Sequence, residues 1–136
     1  MNKDRIFLDA NILFSVAYRS SSLDRLWELS KKGVCVLLAS GYVIEEAKRN
    51  LTNPDQLNKL EACLSNVQIV LEADPRIECP IDLPQKDHPV LMAALSAKTN
   101  YLLTGDVQHF GKYFGQTIKG VKICMARDYL LSKMKP

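Results

Sequence analysis

The chain has 136 residues, 47% of them hydrophobic, and a net charge of +3. That length suits a single domain over residues 1–136 with a proper core, and the charge is too small to name a partner. No apolar run approaches the ~20 residues of a membrane span, and Met1-Asn2-Lys3-Asp4 leads straight into a short strand rather than a signal sequence, so a cytoplasmic protein is expected.

In chain order, Arg5 to Leu8 reads as a strand and Asn11 to Tyr18 as a short helix. Ser20, Ser21 and Ser22 offer caps for a second helix through Leu23, Leu26, Trp27 and Ser30, ended by Gly33. Val34 to Ala39 is a continuous apolar run of strand length, the pattern of a parallel strand covered on both faces. A helix follows from Gly41 to Leu51. Asn53-Pro54 caps and opens another through Leu57, Leu60 and Leu64.

Val67 to Leu71 is the third strand. Pro75, Pro80 and Pro84 make Ala73 to Gln85 a loop, with a short edge piece expected around Ile77. His88 to Lys98 is helical, Tyr101 to Leu103 a strand, and Val121 to Met125 the last strand before a terminal helix. Strands alternating with helices at this spacing predict an α/β fold with a mostly parallel sheet and right-handed crossovers. Cys35, Cys63, Cys79 and Cys124 are scattered, with no C-x-x-C pair and only two histidines, and read as reduced structural thiols.

Two strands end in the same way. "RIFLDAN" closes on Asp9 and "YLLTGD" on Asp106, and in an open α/β sheet ligands bind beyond the carboxyl ends of the strands. Either aspartate alone could be an ordinary turn former. Helix phase adds a third carboxylate. At about 100° per residue, Val43, Ile44, Ala47 and Leu51 form one stripe. Glu45 points away from it, whereas Glu46 flanks it beside Asn50 and can reach inward. Asp87 is the fourth, one turn above Leu91 on the stripe Leu91, Ala94 and Leu95. A plain N-cap role is open to it too, with Pro89 suited to a first turn.

Four carboxylates on one edge repel one another unless a cation joins them. Oxygen ligands select hard divalent ions, Mg²⁺ above all, which suits a phosphodiester substrate. With Asp9, Glu46, Asp87 and Asp106 set aside, 18 basic residues face 11 acidic ones, a net +7. Such an excess suits a polyanion; equally, it could simply solvate helix faces.

These segments resemble the PIN domain family, which includes the VapC-type toxins of toxin–antitoxin pairs. The resemblance lies in "FLDANILFS", "LASGYVIEEAKRNL" and "KDHPVLMAALSAKTNYLLTGDVQHF", and Thr52 to Gln85 adds nothing to it. It implies a three-layer α/β/α sandwich around a central, mostly parallel twisted sheet. It also implies an endoribonuclease using Mg²⁺ or Mn²⁺, in which metal-activated water attacks phosphorus and leaves 5′-phosphate and 3′-hydroxyl ends. Asp9 and Asp106 would be the principal metal ligands, with Asp87 and Glu46 completing ligation or orienting the water.

In the same resemblance Asn11, Ser40 and Thr104 are supporting residues. Many of the toxins carry a further acid where this chain has Gln108, and His109 beside it is a candidate contact to metal or substrate. The partners implied are single-stranded or looped RNA, a cognate antitoxin and a second copy of the chain. The other readings are a non-catalytic RNA-binding or protein-interaction module on this fold, and a phosphatase-like hydrolase with Asp9 as nucleophile. The last wants an aspartate two residues on, where Asn11 stands.

Overall fold

Ile6, Phe7 and Leu8 lie beside Leu102 and Leu103 at the centre of the molecule, all of them closed to solvent. They belong to neighbouring strands, as their unbroken apolar character requires of a sheet covered on both faces. The computed structural model of the chain describes residues 2–18 and 22–134. Its strands are β1 (Asp4–Leu8), β2 (Cys35–Ser40), β3 (Val67–Val70), β4 (Tyr101–Leu103), β5 (Thr117–Ile118) and β6 (Val121–Cys124). They form one six-stranded sheet in the order β3-β2-β1-β4-β6-β5. Every pairing is parallel except that of β5 with β6.

The helices are α1 (Ala10–Tyr18), α2 (Asp24–Lys31), α3 (Gly41–Arg49), α4 (Pro54–Leu64), α5 (His88–Ser96), α6 (Val107–Phe110) and α7 (Ala126–Lys133). The result is the three-layer α/β/α arrangement. α1 packs on α3 and α4, and α3 on α5, so the helices that follow β1 and β2 meet the helix that precedes β4. The chain runs outward from β1 through β2 to β3 and then returns to place β4 on the other side of β1. The strand order therefore reverses between β1 and β4, which opens a crevice at their carboxyl ends.

Most element bounds fall within two residues of the sequence expectation. Asn53 caps α4 as expected, its side chain accepting the Asp55 N–H at 2.8 Å. Gly33 ends α2 in the left-handed region that glycine favours, at φ +82°. The serine caps of α2 are a different matter. Ser20 and Ser21 lie outside the described residues, and Leu23 occupies the cap position with no side-chain cap bond.

The edge piece expected around Ile77 does not form. Three prolines leave that segment as turn and coil, with Ile77 exposed. Two elements escaped the sequence reading. One is the single-turn α6; the other is the β5–β6 hairpin, whose turn residues Lys119 and Gly120 both have positive φ, the twist-matched geometry of tight hairpins. Among the described residues, no helix is long and apolar enough to cross a membrane. The four cysteines are free thiols, and burial pushes Cys35 and Cys124 up to about 11.

The carboxy-terminal helix is tied to the central strand by polar contacts. Tyr129, buried, donates its O–H to Asp4 Oδ2 at 2.8 Å, and Lys133 Nζ lies 2.7 Å from the same oxygen. Tyr129→Phe removes a hydrogen bond to a charged acceptor. It is expected to cost about 1.5–3 kcal/mol of folding stability, read by urea denaturation. An unchanged midpoint would show that Lys133 alone satisfies Asp4.

Candidate metal centre

The β1–β4 register sets the geometry of the crevice. Leu8 pairs with Leu103, so the next residues, Asp9 and Thr104, emerge side by side, and the Asp9 N–H donates to the Leu103 carbonyl at 3.1 Å. Thr104 Oγ1 donates to Asp9 Oδ2 at 2.8 Å and accepts the Asp106 N–H at 3.1 Å. One hydroxyl therefore connects the two strand-end aspartates. Asn11 braces the same junction. Its Nδ2 reaches Asp9 Oδ2 and Thr104 Oγ1, both at 3.2 Å, and its Oδ1 accepts the Gly105 N–H at 2.7 Å.

Asp9 is 5% exposed and keeps the remaining oxygen on the Ala10 N–H at 2.7 Å. Burial raises its carboxyl to about 6. The Thr104 and Ala10 hydrogen bonds oppose that rise, and the charges of Glu46 and Asp87 add to it. The helix phase of the sequence holds in α3, with Glu45 exposed and Glu46 half-buried. Glu46 lines a groove of about 370 Å³ with Asn11, Phe14 and Asn50, on the α1–α3 side of the crevice.

Asp87 ends the 3₁₀ turn Gln85–Asp87 and stands at the cap position of α5, followed by Pro89 in the first turn. The proline fills its expected place, but the aspartate does not cap: its side chain makes no bond to the helix. The carboxylate turns instead towards α6. There Asp106 Oδ1 accepts the His109 N–H at 3.1 Å, and this cap folds the turn that brings His109 back over the two acids. His109 Nδ1 lies 2.9 Å from Asp87 Oδ2 and 2.9 Å from Asp106 Oδ2.

The loop that carries Asp87 is held from three sides. Tyr42, on α3, donates its O–H to the Lys86 carbonyl at 2.6 Å, and Tyr113 donates to the Asp82 carbonyl at 2.8 Å. His88 Nε2 contacts the Leu83 carbonyl at 2.9 Å. Burial first, then the charges of Glu46 and Asp87, raise the Tyr42 phenol and keep it a donor. Tyr42 precedes Glu46 by four residues, so the helical spacing that selects Glu46 also carries Tyr42. Ser40 is fully buried at the cap position of α3 without capping it. Glu72 takes over that task by accepting the Tyr42 N–H at 2.9 Å, a contact across 30 residues that no local pattern announces.

These residues fit a cation. Ligand atoms of Asp87, Asp106 and His109 all lie within 4.8 Å of one another. Asp87 Oδ2 and His109 Nδ1 are buried and have no aligned hydrogen-bond partner among the described residues, because their 2.9 Å contact is out of line. Buried polar atoms are ordinarily satisfied, and an ion between them would satisfy both. Burial raises the Asp87 carboxyl, with His109 and Lys86 opposing and Asp106 reinforcing. Asp9 and Glu46 stand on the same edge but outside this close group: Asp9 is committed to Thr104, Asn11 and Ala10, and Glu46 to the groove beside it.

The raised carboxyl of Asp9 gives a pH dependence of defined sign. Unfolded, the group ionises near 3.8; folded, near 6. The folded protein holds its proton longer, so stability falls as pH rises from about 4 to about 6 and is level above, a loss of at most about 3 kcal/mol from this residue. Asp9→Asn has no charge to desolvate. In urea denaturation without divalent ions, the variant should gain about 1–3 kcal/mol on the natural chain between pH 4 and pH 7. Parallel profiles would contradict the assignment of buried charge to Asp9.

The PIN domain family model matches residues 5–108, which include Asp9, Glu46, Asp87 and Asp106. No curated protein sequence matches the chain. Among solved structures, a chain of the VapBC2 complex of Rickettsia felis bound to a DNA fragment from their promoter is similar, with a TM-score of 0.62. The alignment has 17% identity and covers 88% of this chain and 96% of that one. At that identity the likeness speaks for the fold, and it agrees with the sheet described above. With 104 of its 136 residues inside the family match, the chain belongs to the PIN domain family.

Proposed function

We propose that residues 1–136 act as one PIN domain, a divalent-cation-dependent endoribonuclease working at the β1–β4 crevice. The observation that carries the reading is the buried Asp87 oxygen, 2.9 Å from His109 Nδ1 but in no aligned hydrogen bond, grouped with donors of Asp106 and His109 within 4.8 Å, next to the buried carboxylate of Asp9. So much desolvated negative charge at a switch point is costly to the fold unless a cation is bound there. Mg²⁺ or Mn²⁺ suits it, and a bound divalent ion neutralises charge building on a phosphate and eases attack by water.

The chain's own groups divide the remaining work. Asp87 and Asp106 offer carboxylate oxygens at the crevice. Thr104 and Asn11 fix the Asp9 carboxylate and keep it from turning away. Ser40, buried with an unpartnered hydroxyl at the end of β2, supports the same edge. Glu46, half-buried in its groove, would complete ligation or orient the attacking water. Exposed Lys112, in the pocket beside His109, and exposed Lys86, next to Asp87 in the chain, suit phosphates on either side of the one cleaved. A single strand bends into such a crevice more readily than a duplex.

The toxin of a toxin–antitoxin pair is the setting we favour, because the solved relative is part of a VapBC2 assembly. An antitoxin would act most simply by covering the acidic edge or placing an arginine in it. A reducing cytoplasm agrees with four free thiols, and self-association into a homodimer belongs to the same reading.

Incubation with end-labelled single-stranded RNA and Mg²⁺ or Mn²⁺ tests the proposal. Cleavage should stop with a chelator and leave 5′-phosphate ends. Asp106→Asn and Asp9→Asn should each lower the rate by about 10²-fold or more. Folded variants that cut as well as the natural chain would sink the assignment, and RNA binding without cleavage would favour a non-catalytic module.

A further inference from the structure

We infer that His109 supplies a nitrogen ligand to the cation held by Asp87 and Asp106, so that the site prefers Mn²⁺ to Mg²⁺. The inference rests on the metal-site reading above and goes beyond an all-carboxylate edge. Its first support is position. Nδ1 sits 2.9 Å from one oxygen of each aspartate, inside a set of three donors no more than 4.8 Å apart. An imidazole that merely paired with a carboxylate would align on one of them. This nitrogen lies at ion-pair distance from both and is aligned for a hydrogen bond on neither.

The second support is that the ring is held in place before any ion arrives. His109 lies three residues after Asp106, on the short turn that the Asp106 carboxylate caps through the His109 N–H. The next residue, Phe110, is completely buried and anchors that turn to the core. The His109 side chain is only 22% exposed and its Nδ1 is closed to solvent, so the ring cannot swing freely into water. Ligands held on a rigid support in this way are the ones that tune a metal site.

The third support is donor chemistry. Mg²⁺ takes oxygen ligands and keeps several waters, whereas first-row divalent ions accept imidazole nitrogen readily. One nitrogen with two carboxylates therefore moves the balance away from Mg²⁺. The competing role for His109 is that of a fixed positive charge which neutralises the two aspartates when no ion is bound. The two roles make opposite predictions. Removing a ligand weakens ion binding; removing a competing cation strengthens it.

The test uses the full chain and Mn²⁺ as the probe. Electron spin echo envelope modulation of the Mn²⁺-loaded natural chain should show coupling to a histidine nitrogen, and the coupling should change character when histidine is labelled with ¹⁵N. The chain has two histidines, and the other, His88, is engaged with the Leu83 carbonyl, so the signal should survive His88→Asn and vanish in His109→Gln. By calorimetry, the natural chain should bind Mn²⁺ more tightly than Mg²⁺, and His109→Gln should weaken Mn²⁺ binding by about tenfold or more. Its Mg²⁺ affinity should change far less.

Mn²⁺ binding without nitrogen coupling, or tighter Mn²⁺ binding by the variant, would overturn the inference and leave the metal-dependent reading intact. A natural chain that binds no Mn²⁺ would overturn both. The spectroscopic arm on the natural chain needs no variant, so a poorly folded His109→Gln does not remove the test.

Discussion

The hydroxyl of Thr104 is the contact on which the rest of the crevice depends. Parallel pairing of Leu8 with Leu103 sets it beside Asp9, and two of its three hydrogen bonds join the carboxylate closing one central strand to the backbone of the acid closing the other. Everything else at the edge is placed relative to that junction. Asn11 braces it from α1 and meets the backbone of Gly105. The carboxyl ends of these two central strands are buried, and acids carried on such a support inherit its precision.

Around this junction the molecule is electrostatically unresolved. Asp9 and Asp87 are buried carboxylates, both held above the usual carboxylate range by desolvation, with Asp106 and Glu46 nearby. A protein selected only for stability would dilute or cap such charges. Here the opposite has been built: Asp87 stands at a helix start and leaves the helix uncapped, while two tyrosines hold its loop so that the carboxylate faces the crevice. Local conflicts of that kind gather at functional sites. A cation bound there would offset the cost and link folding stability to metal occupancy.

Much of this could be read from the sequence because it follows from periodicity. Apolar runs gave the parallel strands, and the residues just past them fall at the sheet edge by construction. The 100° step of a helix put Glu45 outward and Glu46 at the margin, and their exposure follows that phase. What stayed hidden depends on contacts far apart in sequence. Glu72 replaces Ser40 as the cap of α3, and Tyr42 and Tyr113 hold backbone carbonyls of a loop that prolines had marked only as irregular. The four-residue helix at Val107–Phe110 is too short for any periodic signal, so the return of His109 over Asp87 and Asp106 had only its three-residue spacing to suggest it. Asp87 shows the limit most clearly, because capping and cation binding want the same residue in the same place.

The central claim is that the carboxyl end of the β1–β4 pair is a cation site. Crystals of the protein soaked in Mn²⁺, with anomalous scattering recorded on either side of the manganese edge, test it directly. The account predicts an anomalous peak within coordination distance of both Asp87 and Asp106, in the crevice beside Asp9. Manganese found only at exposed carboxylates such as Asp55, with the crevice vacant, would contradict it.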